Sequence, residues 1–280
     1  MKSSGVEFDY FLVDRKGLVG YLKKRKDLLI KIKTYRPDII HAHYGLSGLL
    51  ANLQRKIPVI TTYHGSDINN PTVFLFSKIC MMLSIYNIFV SSGNLKKSGI
   101  TGNNSVIPCG VDLNLFVPMN KDESKNKLLL DKNKKYILFA GAFQNEVKNS
   151  KPAIDAVSMI PNVELLELKG YTREHVAILM NAVDAVLMTS FTEGSPQFIK
   201  EAMACNCPIV SVPVGDVPEI TANMEGCIIT TYDPLDIAEK LRMAISYEKR
   251  TAGRNRIIEL KLDTENVANC ILDVYGKVVN

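Results

Sequence analysis

The chain has 280 residues, 46% of them hydrophobic and 22% charged, with no Trp and a net charge of +5. This is the composition of a soluble globular protein, long enough for one large domain or two ordinary ones. The most apolar segment, Val73 to Val90, is interrupted by Ser77, Lys78, Ser84 and Asn87; it falls short of the ~20 mainly apolar residues of a spanning helix and reads as a helix followed by a strand.

Val6 to Val13 reads as a strand. Gly17 to Tyr35 reads as one amphipathic helix, with Leu18, Leu22, Leu29 and Ile32 opposite Lys23, Lys24, Lys26 and Lys33. Pro37-Asp38 ends it, and a short strand, Asp38 to His43, runs into a loop at Tyr44-Gly45. A helix through Leu49 and Leu53 follows, then a strand from Pro58 to Thr62 that ends in Tyr63-His64-Gly65-Ser66-Asp67. Residues 117–135 are polar and read as an exposed connection with a helix. Strands are expected at Tyr136 to Phe139, Val163 to Leu166, Ala185 to Met188, Ile209 to Val212 and Cys227 to Thr230. Helices are expected at Ser150 to Ile160, Thr172 to Ala182 with Thr172 as cap, Pro234 to Tyr247 and Thr264 to Val279. Strands alternating with helices predict an α/β fold with parallel sheets.

Charge and cysteine content constrain the partners. Residues 1–116 carry 15 Lys and Arg against 7 Asp and Glu, and residues 117–280 carry 19 against 22. The basic first half suits an anionic partner, such as a membrane face or an acidic acceptor, or equally a solvated helix face. Six Cys, at 80, 109, 205, 207, 227 and 270, make no C-x-x-C pair, which fits reduced thiols in a cytosolic protein. No secretory signal is visible in the opening residues.

The stretch from Thr189 to Val210 carries the chemistry. Ser195-Pro196 reads as a helix start, Ser as the cap and Pro as the first helical residue. Asn206 reads as the stop, because Asn tolerates the left-handed conformation. Gly194 lets a ligand approach the backbone, and the free amides at the helix start suit a phosphate. Glu193 in the loop and Glu201 in the helix cannot both serve as phosphate ligands; they suit hydroxyl groups of a sugar or ribose. On spacing alone, a capped helix with an exposed Glu at each end serves equally well.

Glu193-Gly194-x-Pro196, Glu201-Ala202-Met203-Ala204 and Pro208-Ile209-Val210 resemble the E-x7-E signature of the family 4 retaining glycosyltransferases, which have the GT-B fold of two Rossmann-like parallel-sheet domains. Asp38 to His43 resembles the family's D-x-x-H-x-H segment, Thr61 to His64 its T-x-H segment, and Val106 to Phe116 its segment between the domains, with Cys109 where Asn is usual. The departures are Asn206 and Asp216, where Gly is usual, and Ala142, where the family has an Arg that helps hold the donor diphosphate. Lys148 matches the second cation. The family's opening strand and Gly-rich loop are not recognisable, so the first domain is expected to be incomplete by a strand-helix unit of ~30–50 residues.

The resemblance implies a retaining glycosyltransferase that moves a sugar from a nucleotide-sugar to a glycan or lipid-linked acceptor in polysaccharide biosynthesis. Lys148, Gly194, Ser195 and Gly215 would hold the donor phosphates, Glu201 the ribose, Glu193 the sugar and His64 the reacting sugar region. His43 and Gly45 would shape the acceptor side. His41-x-His43 is a weak metal signal, and no D-x-D pair is present. No metal, no cofactor beyond the nucleotide-sugar co-substrate and no nucleic acid are therefore expected. The expected location is cytoplasmic, with peripheral contact at the inner membrane face. The expected domains are 1–116, 117–262, and a helix over 263–280 that crosses back to the first. One alternative is a truncated or inactive remnant that binds nucleotide-sugar without turnover. Another, a dinucleotide oxidoreductase, would need a G-x-G-x-x-G run that is absent.

Overall fold

The computed structural model describes residues 5–15 and 17–279. They group into two compact units: residues up to Pro108 together with the segment from Glu265, and Cys109–Thr264.

In the first unit the helices α1 (Gly17–Lys23) and α2 (Arg25–Tyr35) precede the strand β1 (Ile40–His43). Then come α3 (Gly45–Asn52), β2 (Val59–Tyr63), α4 (Ser66–Asn69), α5 (Pro71–Leu83), β3 (Tyr86–Phe89), α6 (Ser92–Ser98) and β4 (Asn104–Val106). The strands pair in parallel in the order β1-β2-β3-β4. Their side chains alternate between faces. Ile60, Ile88 and Ile107 pack with Val267 and Val274, while Tyr63 and Phe89 pack with Ile68, Cys80 and Met81.

In the second unit α7 (Lys121–Lys127) leads into β5 (Lys135–Phe139), α8 (Ser150–Ser158), β6 (Val163–Glu167), α9 (Arg173–Ala182) and β7 (Ala185–Met188). There follow α10 (Gln197–Ala204), β8 (Ile209–Ser211), α11 (Val217–Ile220), β9 (Cys227–Ile229), α12 (Pro234–Ser246) and α13 (Gly253–Glu259). The last helix, α14 (Thr264–Val279), supplies the Val267 and Val274 that cover the first unit's sheet. The second sheet is parallel with order β6-β5-β7-β8-β9. It is buried on both sides, as parallel sheets are. Tyr136, Leu138, Val186 and Met188 face α9, α10 and α13, and Ile137, Phe139, Ala185 and Leu187 face α8 and α12.

Three expectations are corrected. Residues 6–13 form no strand; Val6, Phe8, Tyr10 and Leu12 are exposed, and β1 pairs only with β2 among the described residues. An alternating pattern makes a strand only where a neighbour supplies the ladder. The single helix over Gly17 to Tyr35 is two helices that break at Lys24, whose N–H turns back to Tyr21 O (3.0 Å) and whose ammonium meets Asp14 (3.0 Å) and Asp27 (3.7 Å). Residues 117–135 are not merely an exposed connection. Lys125 is buried, donates to Lys132 O (3.2 Å) and Lys134 O (2.7 Å), and lies over the Tyr136 ring.

The division between units falls after Pro108, where the sequence reading set it after Phe116. Val111 and Phe116 are wholly buried in the second unit's core, and Arg254 clamps that segment through Leu113 O (2.9 Å) and Phe116 O (2.7 Å).

Candidate functional site

The second sheet leaves β5 for β6 on one side and for β7 on the other. Such a switch point opens a crevice beyond the carboxyl ends of the strands, where ligands of open α/β sheets bind. The loops after β5 and β7 are joined there. Thr189 Oγ1 donates to Lys148 O (3.2 Å) and Asn149 O (2.7 Å), and Phe191 N–H to Val147 O (3.0 Å). Lys148 ends a single 3-10 turn, Glu146–Lys148. Its stem lies across Gly141, where a Cβ would come within 2.9 Å of Lys148 Cγ. The ammonium reaches Glu193 Oε1 at 2.7 Å, and both side chains remain partly open to solvent.

The head of α10 differs in detail from the sequence expectation. The helix starts at Gln197, with Pro196 as the non-helical cap (φ −68°, ψ 118°) and no side-chain cap bond. Ser195 does not cap. Its buried hydroxyl donates to Asp216 Oδ2 (2.5 Å) and accepts from Lys200 Nζ. Gly194 is buried, and its carbonyl would lie 2.7 Å from a Cβ at Gly215, whose φ of +60° also demands Gly. Glu201 is buried on α10 and takes a hydrogen bond from Arg173 (2.8 Å) at the start of α9. Burial raises the Glu201 pKa and Arg173 opposes the rise. Arg173 also lies over the Phe116 ring.

The foot of α10 closes as expected. Asn206 is left-handed (φ 56°), with Asn206 N–H to Met203 O and Cys207 N–H to Ala202 O, each 2.9 Å, the paired bonds of a Schellman ending. Its side chain does what Gly cannot: Oδ1 accepts the Arg254 N–H (2.8 Å) at the head of α13.

In the first unit, the ends of β1 and β2 gather three histidines. His43 Nδ1 and His64 Nε2 are 2.9 Å apart, so one donates and the other accepts. His41 stacks on His43 and bonds Tyr275 Oη and Thr62 Oγ1, each at 2.7 Å. Burial, with His43 and His64 nearby, pushes the His41 pKa down to about 3. Burial and His43 push His64 down to about 4. Part of the His43 ring faces solvent, yet crowding excludes enough water to lower its pKa too. The imidazoles are therefore neutral near pH 7. Gly45 is buried; a Cβ there would collide with Ser77 Oγ. Among the described residues no group of three or more His, Cys, Asp or Glu is disposed to hold a metal ion.

Within the second unit, Lys148 thus meets Glu193, Gly194 meets Gly215, and Glu201 has a separate cation. Within the first unit, His43 meets His64, and Gly45 donates its N–H to Asp67 Oδ2 (3.1 Å). Three residues are not singled out by the sequence, Asp67, Arg173 and Lys200, nor is the pairing of Asp216 with Ser195 and Lys200. Asp67 also accepts the N–H groups of His64 and Gly65, each at 3.0 Å, and so shapes the loop that carries His64. Its position in the turn after β2 was the available signal. Tyr44, with φ 84°, holds a conformation costly for a bulky residue, directly after His43.

Residues 6–115 match the family described as Glycosyltransferase Family 4, and residues 160–246 match that described as Glycosyl transferases group 1. Those two stretches are those of a family 4 glycosyltransferase. A D-inositol 3-phosphate glycosyltransferase of Mycolicibacterium vanbaalenii is 20% identical, covering 86% of this chain and 67% of its own. A putative colanic acid biosynthesis glycosyltransferase of Escherichia coli is 25% identical over 74% of this chain and 61% of its own. Among the first such relatives the share of their length that is spanned falls as low as 53%. The fold is similar to a sucrose-phosphate synthase from Thermosynechococcus elongatus, with a TM-score of 0.82 at 19% identity, covering 96% of this chain and 80% of the other. It is also similar to Anabaena HepE in complex with UDP and glucose, with a TM-score of 0.73 at 17% identity, covering 96% and 86%. Both sheets are those of the GT-B fold.

Proposed function

We propose that the chain transfers a sugar, with retention, from a nucleotide-sugar donor to a glycan or lipid-linked acceptor in polysaccharide assembly. The observation that carries this reading is the Lys148–Glu193 pair at the β5/β7 switch point, beside the head of α10. The complexes of Anabaena HepE with UDP and with UDP-glucose support a nucleotide-sugar donor.

The proposed chemistry follows from these groups. The acceptor hydroxyl oxygen bonds to the anomeric carbon as the bond from that carbon to the diphosphate breaks, on the same face. The hydroxyl proton passes to the departing phosphate oxygen. Lys148 and the amides at the head of α10 stabilise the growing negative charge. When Lys148 turns to the phosphate, Glu193 takes sugar hydroxyls. Glu201 takes the ribose, neutral His64 lies by the reacting sugar, and His43 and Gly45 belong to the acceptor side. No metal is required in this scheme, so turnover should survive a chelator. The basic, partly apolar start of the chain is proposed to touch a membrane face; among the described residues no helix is long and apolar enough to cross one.

Ala142 favours a second reading, in which the nucleotide-sugar binds without turnover. Lys169, exposed after β6, reaches Gln144 in the same loop (3.1 Å) and is a candidate for the missing cation. The deciding experiment offers purified protein UDP-, GDP- and ADP-sugars, and measures binding by calorimetry and release of the nucleoside diphosphate. Release with a glycan or lipid acceptor supports transfer. Saturable binding without release selects the second reading, and no binding by folded protein sinks both.

A further inference from the structure

Lys200 and Asp216 form a closed ionic knot behind the head of α10. Lys200 is 0% exposed and Asp216 7%. Lys200 Nζ donates to Cys109 O (2.8 Å) and to Ser195 Oγ, and lies 4.0 Å from Asp216 Oδ2. Asp216 Oδ1 is buried without a hydrogen-bond partner among the described residues. Burial pushes the Lys200 pKa down and the Asp216 pKa up, each opposed by the other's charge. The remaining groups that bear on the pair are Ser195, Cys109 and Glu219. A buried pair of this kind rarely adds stability over apolar packing, so its presence calls for another reason.

Placement supplies one. Gly215 packs on the Gly194 carbonyl, so the next residue, Asp216, lies directly behind the turn that would seat a diphosphate. Its own φ of −97° needs no Gly. A bare carboxylate there would repel the ligand across a poorly screened distance.

We propose that Lys200 is a positioning residue: it cancels the charge of Asp216 and fixes Ser195, so that the loops around Gly194 and Gly215 offer a donor diphosphate a neutral, fixed backbone. This rests on the nucleotide-sugar reading. It makes Lys200 the counterpart of a residue at 216 that the family usually does without.

The test is calorimetry with UDP, and with uridine as the phosphate-free control, on wild type, K200M, D216N, K200M/D216N and K200M/D216G from pH 7 to 9. K200M should bind UDP about tenfold more weakly than wild type wherever Asp216 is ionised, with uridine unaffected. K200M/D216G should stay flat and near wild type, a rescue that a merely structural lysine would not give. K200M tracking wild type at every pH overturns the proposal. So does a folded K200M/D216G that binds UDP as poorly as K200M. If K200M does not fold, D216N and K200M/D216N carry the question: UDP affinity at or above wild type supports charge cancellation, and its loss from folded protein overturns it. Folded wild type is titrated with GDP and ADP as well, and if it ignores these and UDP alike the nucleotide reading fails first and this inference with it.

Discussion

Glu201 is a carboxylate held under cover by a cation that is itself mostly in water. The Arg173 side chain is 58% exposed and that of Glu201 7%. If Glu201 accepts ribose hydroxyls, E201A should weaken nucleotide-sugar binding by ~1.5–3 kcal/mol, the worth of hydrogen bonds to a charged group. Calorimetry on folded E201A that returns wild-type affinity removes Glu201 from that role. The loop position of Glu193 and the helix position of Glu201 were legible because both belong to one local pattern set by the turn. Arg173 was not, since nothing in the order of residues says that the start of α9 lies against α10. Nor was Lys200, whose burial shows only once Cys109, Ser195 and Asp216 are seen around its ammonium. Ser195 shows the converse. It has the residue type of a cap, but an acidic neighbour after β8 takes its hydroxyl first.

Elements were legible where burial imposes a period, as in β5 and β7. They were not where a distant partner decides, as in residues 6–13, or where a side chain competes with the helix, as at Lys24. Asn206 tests how one position joins two elements. N206A forces Ala into the left-handed region and strips a bond from the head of α13, so stability should fall by ~2 kcal/mol or more. N206G loses the bond alone and should cost ~1 kcal/mol or less. Urea unfolding compares them, and equal losses would remove backbone handedness from the account.

The strand ends of the first unit make a second prediction. His41 and His64 have folded pKa values of about 3 and about 4, below the ordinary value of 6.5. A depressed folded pKa means the stability is present above the unfolded value and lost as pH falls through the folded one. Asp67, which burial raises to about 6 against four backbone hydrogen bonds, works the other way, losing stability as pH rises toward 6. Within the first unit, three depressed histidines outweigh this one raised carboxylate. The melting temperature should therefore drop between pH 6.5 and 4, and H64Q should shrink that drop while costing some stability at pH 7.5. A melting profile for H64Q as steep as wild type would show that His64 does not carry the loss.

At the scale of the whole molecule, charge is distributed more informatively than its total suggests. The basic excess lies before residue 117, whereas the residues proposed to hold the donor phosphates follow it. Opening residues and helices in that first part also leave Tyr10, Leu12, Val19 and Ile30 mostly exposed, at 77%, 83%, 66% and 67%. Cations attract an anionic surface over about a Debye length, ~8–10 Å at physiological salt, and apolar side chains add short-range insertion. The two contributions respond to different variables. Co-sedimentation with vesicles of phosphatidylglycerol and phosphatidylcholine should show binding that rises with the anionic fraction and weakens as salt rises from 50 to 500 mM. Neutralising Lys23, Lys26 and Lys33 together to Gln should reduce it severalfold. L12S/I30S should reduce it at every salt concentration without changing the slope of its salt dependence. Vesicle binding indifferent to both the anionic fraction and the three lysines would leave the excess charge as a solvated face, and the acceptor would then have to be sought in solution.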